Sequence, residues 1–143
     1  MRNLTVLSLT LLAFVVIPDG TAQVARNKSK AHAAIPLQAA PAFNLLKAIQ
    51  NDDFDLYASV WSSKELKKRP VDRQSWKTTR EKEMNSFRDL LGTYNPNDVK
   101  YSFSGNNSKG TISLERKGAD TLSYEVVREG KAWKIELPTF NVK

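Results

Sequence analysis

The groups on this chain that could move a proton are Asp52, Asp53 and Asp55 at one acidic corner, Glu125 further on, and Tyr57, Tyr101 and Tyr124. Carboxylates and phenols at such positions are the raw material of general acid–base catalysis. Each also has a structural explanation. Short acidic side chains after an apolar run cap helices, and tyrosines alternating with polar residues fill a core. A second constellation is basic: Lys64, Lys67, Lys68, Arg69 and Arg73 lie in SSKELKKRPVDR, opposed by Glu65 and Asp72. That run suits an anion, with a solvated face as its plainer reading. Trp76 among the basic residues that follow is faintly like a nucleic-acid groove, but no nucleic-acid partner is expected.

Other chemistries lack their parts. The chain has no cysteine, which removes disulfides, thiolate metal sites and a cysteine nucleophile. Its lone histidine, His32, has no neighbouring metal ligands, so no metal site is expected. Gly105 and Gly110 bracket a hairpin turn rather than a phosphate loop, no serine sits in a nucleophile elbow, and the carboxylates lack calcium-loop spacing. No cofactor is implied.

The elements that must position these groups begin at Ala42. In AFNLLKAIQNDDFDLYASVW, Phe43, Leu45, Leu46, Ile49, Phe54, Tyr57, Val60 and Trp61 recur at helical spacing, interrupted by Asn51-Asp52-Asp53. This predicts two short amphipathic helices joined by an acidic corner, each too short to stand alone. Pro70 stops any helix in the basic run, leaving it a loop. Asp72 then caps a longer helix over 73–91, with Trp76, Met84, Phe87, Leu90 and Leu91 buried, Lys77, Arg80, Glu81, Lys82 and Glu83 solvated, and Gly92 closing it.

After Val99 the period changes to two. Val99, Tyr101 and Phe103, then Ile112 and Leu114, then Leu122, Tyr124 and Val126, then Trp133, Ile135 and Leu137 alternate with polar residues. The separators are Gly105-Asn106-Asn107, Lys117-Gly118-Ala119-Asp120 and Glu129-Gly130, all turn chemistry. Short connections make an antiparallel meander. Helices first and strands after give an α+β domain, helices on one face of a four-stranded sheet. Trp61, Trp76, Tyr101, Phe103, Tyr124 and Trp133 fall on the inward side, where they line a pocket or fill the core. The outward row, Lys100, Ser102, Thr111, Ser113, Glu115, Ser123, Glu125, Lys134 and Glu136, is polar. Little apolar area is left for an obligate dimer, so a monomer is expected.

The 143 residues carry a net charge of +7, with 41% hydrophobic and 26% charged residues, as expected for one soluble domain. Three segments follow. Residues 1–22 read as a signal peptide: Arg2, an apolar run from Leu4 to Ile17, a Pro18-Asp19-Gly20 break, and small residues at Gly20 and Ala22. Residues 23–40 read as a flexible linker, and residues 41–143 as the folded domain. A cysteine-free exported protein suits a periplasm or extracellular space. The anions it would meet there are phospholipid head groups, lipopolysaccharide or an acidic protein partner.

The opening AFNLLKAIQNDDFDLYASVWS, with its A-x-x-x-L-x-A-I-x-x-x-D-F-D rhythm, and the closing EGKAWKIELP resemble the nuclear transport factor 2-like superfamily, also called cystatin-like or SnoaL-like. The likeness is to its small secreted members of unknown function. The resemblance implies a strongly curved sheet wrapped round helices as a cone, often with a pocket at its open end. It implies no reaction. The superfamily's isomerase branch holds an oxyanion with a first-helix tyrosine where this chain has Leu45, which cannot donate a hydrogen bond. Its dehydratase branch uses pocket histidines, and none follows His32. The expectation is an exported binding module without catalysis. The alternatives are an isomerase or hydrolase of a small hydrophobic substrate, and a periplasmic component of a secretion assembly.

Overall fold

The structure, a computed structural model, describes residues 34–140. The signal-peptide reading of residues 1–22 and most of the proposed linker, His32 included, lie outside the described residues. Helix α1 spans Ala40–Asn51 and is entered through a single 3-10 turn, Leu37–Ala39. That turn was expected to end the linker but belongs to the fold, because Ala39 is fully buried. Pro41 sits in the first turn of α1, where its missing N–H costs nothing. Ala42, Leu45, Leu46 and Ile49 form the buried face.

The acidic corner follows. Asp52 takes a left-handed conformation at φ 57°, which aspartate tolerates better than most residues. Asp53 Oδ1 accepts from the Leu56 N–H at 2.9 Å and caps α2, Phe54–Ser59. The chain then runs beside the last strand: the Ile135 N–H donates to the Val60 carbonyl at 2.8 Å, and the Ser62 N–H to the Ile135 carbonyl at 2.7 Å. This short parallel bridge covers a sheet edge that would otherwise invite pairing with another chain.

The basic stretch is not a loop throughout, as expected, but opens with helix α3, Ser63–Lys68. Ser62 caps it, its Oγ accepting from the Glu65 N–H at 3.1 Å. Helix α4 spans Trp76–Leu91 and starts three residues later than expected. Asp72 accepts from the backbone N–H groups of Gln74 and Ser75, which makes a turn before the helix instead of its cap. Trp76, Phe87 and Leu91 are buried, while Met84 and Leu90 are only partly covered. Arg80 ties α4 to α1 by donating to the Ile49 carbonyl at 2.8 Å, one of the acceptors a helix end leaves open.

Strands β1 (Lys100–Gly105), β2 (Lys109–Glu115), β3 (Leu122–Glu129) and β4 (Ala132–Phe140) form a four-stranded antiparallel meander in sequence order. The fold is α+β, helices packed on this sheet. One face carries the pairs Tyr101–Leu114, Phe103–Ile112, Ile112–Tyr124 and Val126–Ile135. Two expectations for the sheet need correction. Val126 pairs with Ile135 but Glu125 pairs with Leu137, so Glu136 is an extra residue in a bulge and Leu137 does not continue the register row of Trp133 and Ile135. Ser123, placed on the solvated row, is almost fully covered between its neighbouring strands, its Oγ 3.3 Å from that of Ser113.

Glycine matters at one close approach. The Phe103 ring lies over Gly110, where an added Cβ would stand 2.4 Å from the ring and 2.6 Å from the Ser104 carbonyl oxygen. Gly110→Ala is expected to cost about 1–3 kcal/mol by overpacking. An unchanged denaturation midpoint would mean the ring does not rest there.

Candidate functional site

Four pieces of chain line a cavity of about 430 Å³. Phe54 and Tyr57 of α2, Trp61 of the bridge to β4 and Glu65 of α3 supply one side. The first turns of α4 supply Trp76, Thr79, Lys82, Glu83 and Ser86. The Arg69–Asp72 connection borders the opening, and Tyr124 of β3 lines the interior. The volume is within the range of about 300–1,000 Å³ usual for small-molecule sites.

Aromatic rings make the wall. Tyr57 and Trp76 have centroids 4.8 Å apart, Tyr57 and Trp61 5.6 Å, and Phe54 and Trp76 5.7 Å. Trp76 is held by its indole N–H, which donates to Asp52 Oδ1 at 2.8 Å. Corner aspartates weighed as catalytic acids therefore have structural work: Asp52 anchors Trp76, Asp53 caps α2, and Asp55 pairs with Arg73.

Glu65 is the most buried carboxylate at the cavity, with 3% exposure. Its Oε1 receives Arg69 Nε at 2.7 Å and Nη2 at 2.5 Å, while Oε2 has no hydrogen-bond partner. The Trp61 indole N–H is also buried and unpartnered. Buried polar atoms left open are uncommon and each calls for a cause, a water or a ligand among them.

Burial pushes the Tyr57 and Tyr124 phenols well above their usual range, with the Glu83 charge adding to it, so both are neutral hydroxyls at neutral pH. Glu83 is raised too, by burial, against the opposing pull of Lys82 and Arg69. Its charge acts in turn on Tyr57, Tyr94 and Tyr124, and Tyr94 is pushed up to about 12 by burial and by Glu83. A carboxyl raised on folding costs stability above its folded pKa, and the cost vanishes below its unfolded value. Glu83→Gln is therefore expected to be more stable than the native protein at pH 7, with the advantage fading as the pH falls below the ordinary glutamate range. Thermal melts at the two pH values check this, and a variant no more stable at pH 7 would contradict it.

The aromatic candidates divide. Trp61, Trp76 and Tyr124 meet at the cavity, whereas Tyr101, Phe103 and Trp133 do not line it. The Tyr101 hydroxyl donates to the Pro96 carbonyl at 2.9 Å, and Phe103 and Trp133 pack edge-to-face at 5.4 Å. The basic candidates differ in what they already hold. Lys64 pairs with Glu136 at 2.6 Å, and Arg69 is held by Glu65. Arg73 binds Asp55 and stands 4.6 Å over the Phe54 ring. Lys67 and Lys68 are exposed and make no ion pair among the described residues.

Sequence reasoning missed Glu65, Glu83 and Phe54 as cavity residues. Glu65 had a signal, the S-x-x-E capping pattern of Ser62 and Glu65 that marks a helix start. Glu83, assigned to the solvated face of α4, stands two turns after Trp76 on its side of the helix and is partly buried in the cavity wall. Among the described residues no cluster of His, Cys, Asp or Glu could hold a metal ion, and no helix is long and apolar enough to cross a membrane. Compared with known proteins, the chain matches no family model, no curated protein and no solved structure.

Proposed function

We propose that this protein is an exported, monomeric binding module of the nuclear transport factor 2-like type, which holds a small, partly apolar ligand between α2, α3 and α4 without transforming it. The observation that carries this reading is the cavity of about 430 Å³, walled by aromatic rings and bearing two buried polar atoms of opposite kind with no partner. The order of elements, three shorter helices, a longer one and an antiparallel meander, supports this family reading. An anionic envelope component or acidic protein meets Lys67 and Lys68, the exposed lysines of α3 that make no ion pair among the described residues. Native mass spectrometry of protein purified from its own host tests the binding reading. A co-purifying small molecule lost on mild unfolding is the expected result, and an empty protein that no small molecule stabilises would overturn it.

One observation favours a second reading, an isomerase or hydrolase of a small hydrophobic substrate. Glu83 is a partly buried carboxylate with a raised pKa that lines the same cavity as Tyr124 and Tyr57, the environment in which enzymes place a general base. No hydrogen bond joins either hydroxyl to a carboxylate among the described residues. The same Glu83→Gln variant separates the two readings once a ligand is known: a binder keeps its affinity, whereas an enzyme keeps affinity and loses turnover.

A further inference from the structure

The composition of the cavity wall selects a charge for its occupant. Tyr57 stands 5.6 Å from Trp61 and 4.8 Å from Trp76, centroid to centroid. Their electron-rich faces attract a cation, and sets of such rings with a carboxylate suit ammonium groups whose N–H bonds are replaced by methyls. Glu65 supplies that carboxylate, with Oε2 buried and open. The positive groups nearby do not cancel it fully. Arg69 is spent on Oε1 with its side chain 60% exposed, and Lys82, exposed as well, shares the lining with the carboxylates of Glu83 and Asp72. An uncharged apolar occupant would leave Oε2 unpaired, and an anion would be pressed against it.

On the reading that the cavity binds a small molecule, we propose that the ligand is a small organic cation, an alkylated or quaternary amine. Its ammonium head sits against Tyr57, Trp61 and Trp76 beside Glu65 Oε2. The Trp61 indole N–H is then a donor for an oxygen on the same ligand, such as an alcohol two carbons from the nitrogen. Such a head occurs free or on a phospholipid, and the two sources share this recognition chemistry.

Trp61 and Trp76 line the site and report on it by fluorescence. The probes are choline, its uncharged isostere 3,3-dimethyl-1-butanol and its anionic counterpart 3,3-dimethylbutanoate, titrated into the native protein. Choline is expected to bind at least about tenfold more tightly than either. Glu65→Gln, checked by melting to be folded, is expected to remove that preference and leave the alcohol unaffected. The comparison among probes on the native protein stands even if the variant fails to fold. Retention of the protein on phosphatidylcholine vesicles, competed by choline, would assign the head to a lipid. Choline binding without vesicle retention would assign it to a free amine. Both support the proposal. The alcohol binding as well as choline would overturn the cation assignment while leaving a binding module. No probe binding, together with an empty protein from the host, would overturn both.

Discussion

Trp133→Ala is expected to cost about 3–5 kcal/mol, a large part of the 5–15 kcal/mol or so that holds a domain folded. The neighbouring Lys134→Ala is expected to change stability by no more than about 0.5 kcal/mol. The contrast follows from strand parity. Trp133 lies on β4 with only 9% exposure and packs edge-to-face on Phe103, which in turn rests on Gly110. Removing the indole therefore opens space beneath three strands. Lys134 points the other way, half-buried, and donates from Nζ to the Ser59 carbonyl, an interaction that water replaces at little cost. Chemical denaturation of the two variants decides it. Equal effects would mean that the register on the hairpin side of the bulge is wrong, and with it the assigned core face.

What was readable in the sequence was whatever the hydrophobic period controls. In the two helices around Asp52 and the four strands the apolar period is regular enough for burial of one face to dictate both type and direction. Helix α3 was not readable in that way. Its only apolar residue is Leu66, and it is held by partners distant in sequence: Ser63 donates from its N–H and Oγ to the Glu129 carboxylate, and Lys64 reaches Glu136. The β4 bulge was hidden because Trp133, Ile135 and Leu137 keep alternating across it. Only Pro138, which cannot donate to a ladder, hinted that pairing changes there.

The site was half legible for a related reason. Parity tells which aromatics turn inward but not where along the sheet they meet the helices. So Tyr124 reaches the cavity, while Tyr101, on the same face, ends at the Pro96 carbonyl. The carboxylates Glu65 and Glu83 were invisible as site residues because charged side chains on helices are solvated by default. Their burial is created by the neighbouring elements: the Val60–Ser62 bridge to β4 sets the position of α3, and Arg80 sets that of α4 against α1.

Trp76 is the residue on which fold and site depend together, and Trp76→Ala is expected to cost about 3 kcal/mol, the low end for a buried tryptophan. One face of the ring borders the cavity, so less packed surface is lost than in a closed core. The rest is lost fully: the contacts with Phe54 and Tyr57, and the indole bond that fastens the start of α4 to the left-handed Asp52. Trp76→Phe keeps a ring but loses that bond and the packing of the larger indole, for about 1–2 kcal/mol given how exposed Asp52 is. Asp52→Ala removes the same bond from its other end. The double variant Trp76→Phe with Asp52→Ala is therefore expected to be less destabilised than the sum of its parts, the mark of a direct contact. Additive effects would show that Asp52 does not hold Trp76, returning that carboxylate to the list of groups free to act on a ligand. A Trp76→Ala variant within about 1 kcal/mol of the native protein would go further. It would mean that α4 does not pack on the acidic corner at all, and a cavity walled by the two together would not exist.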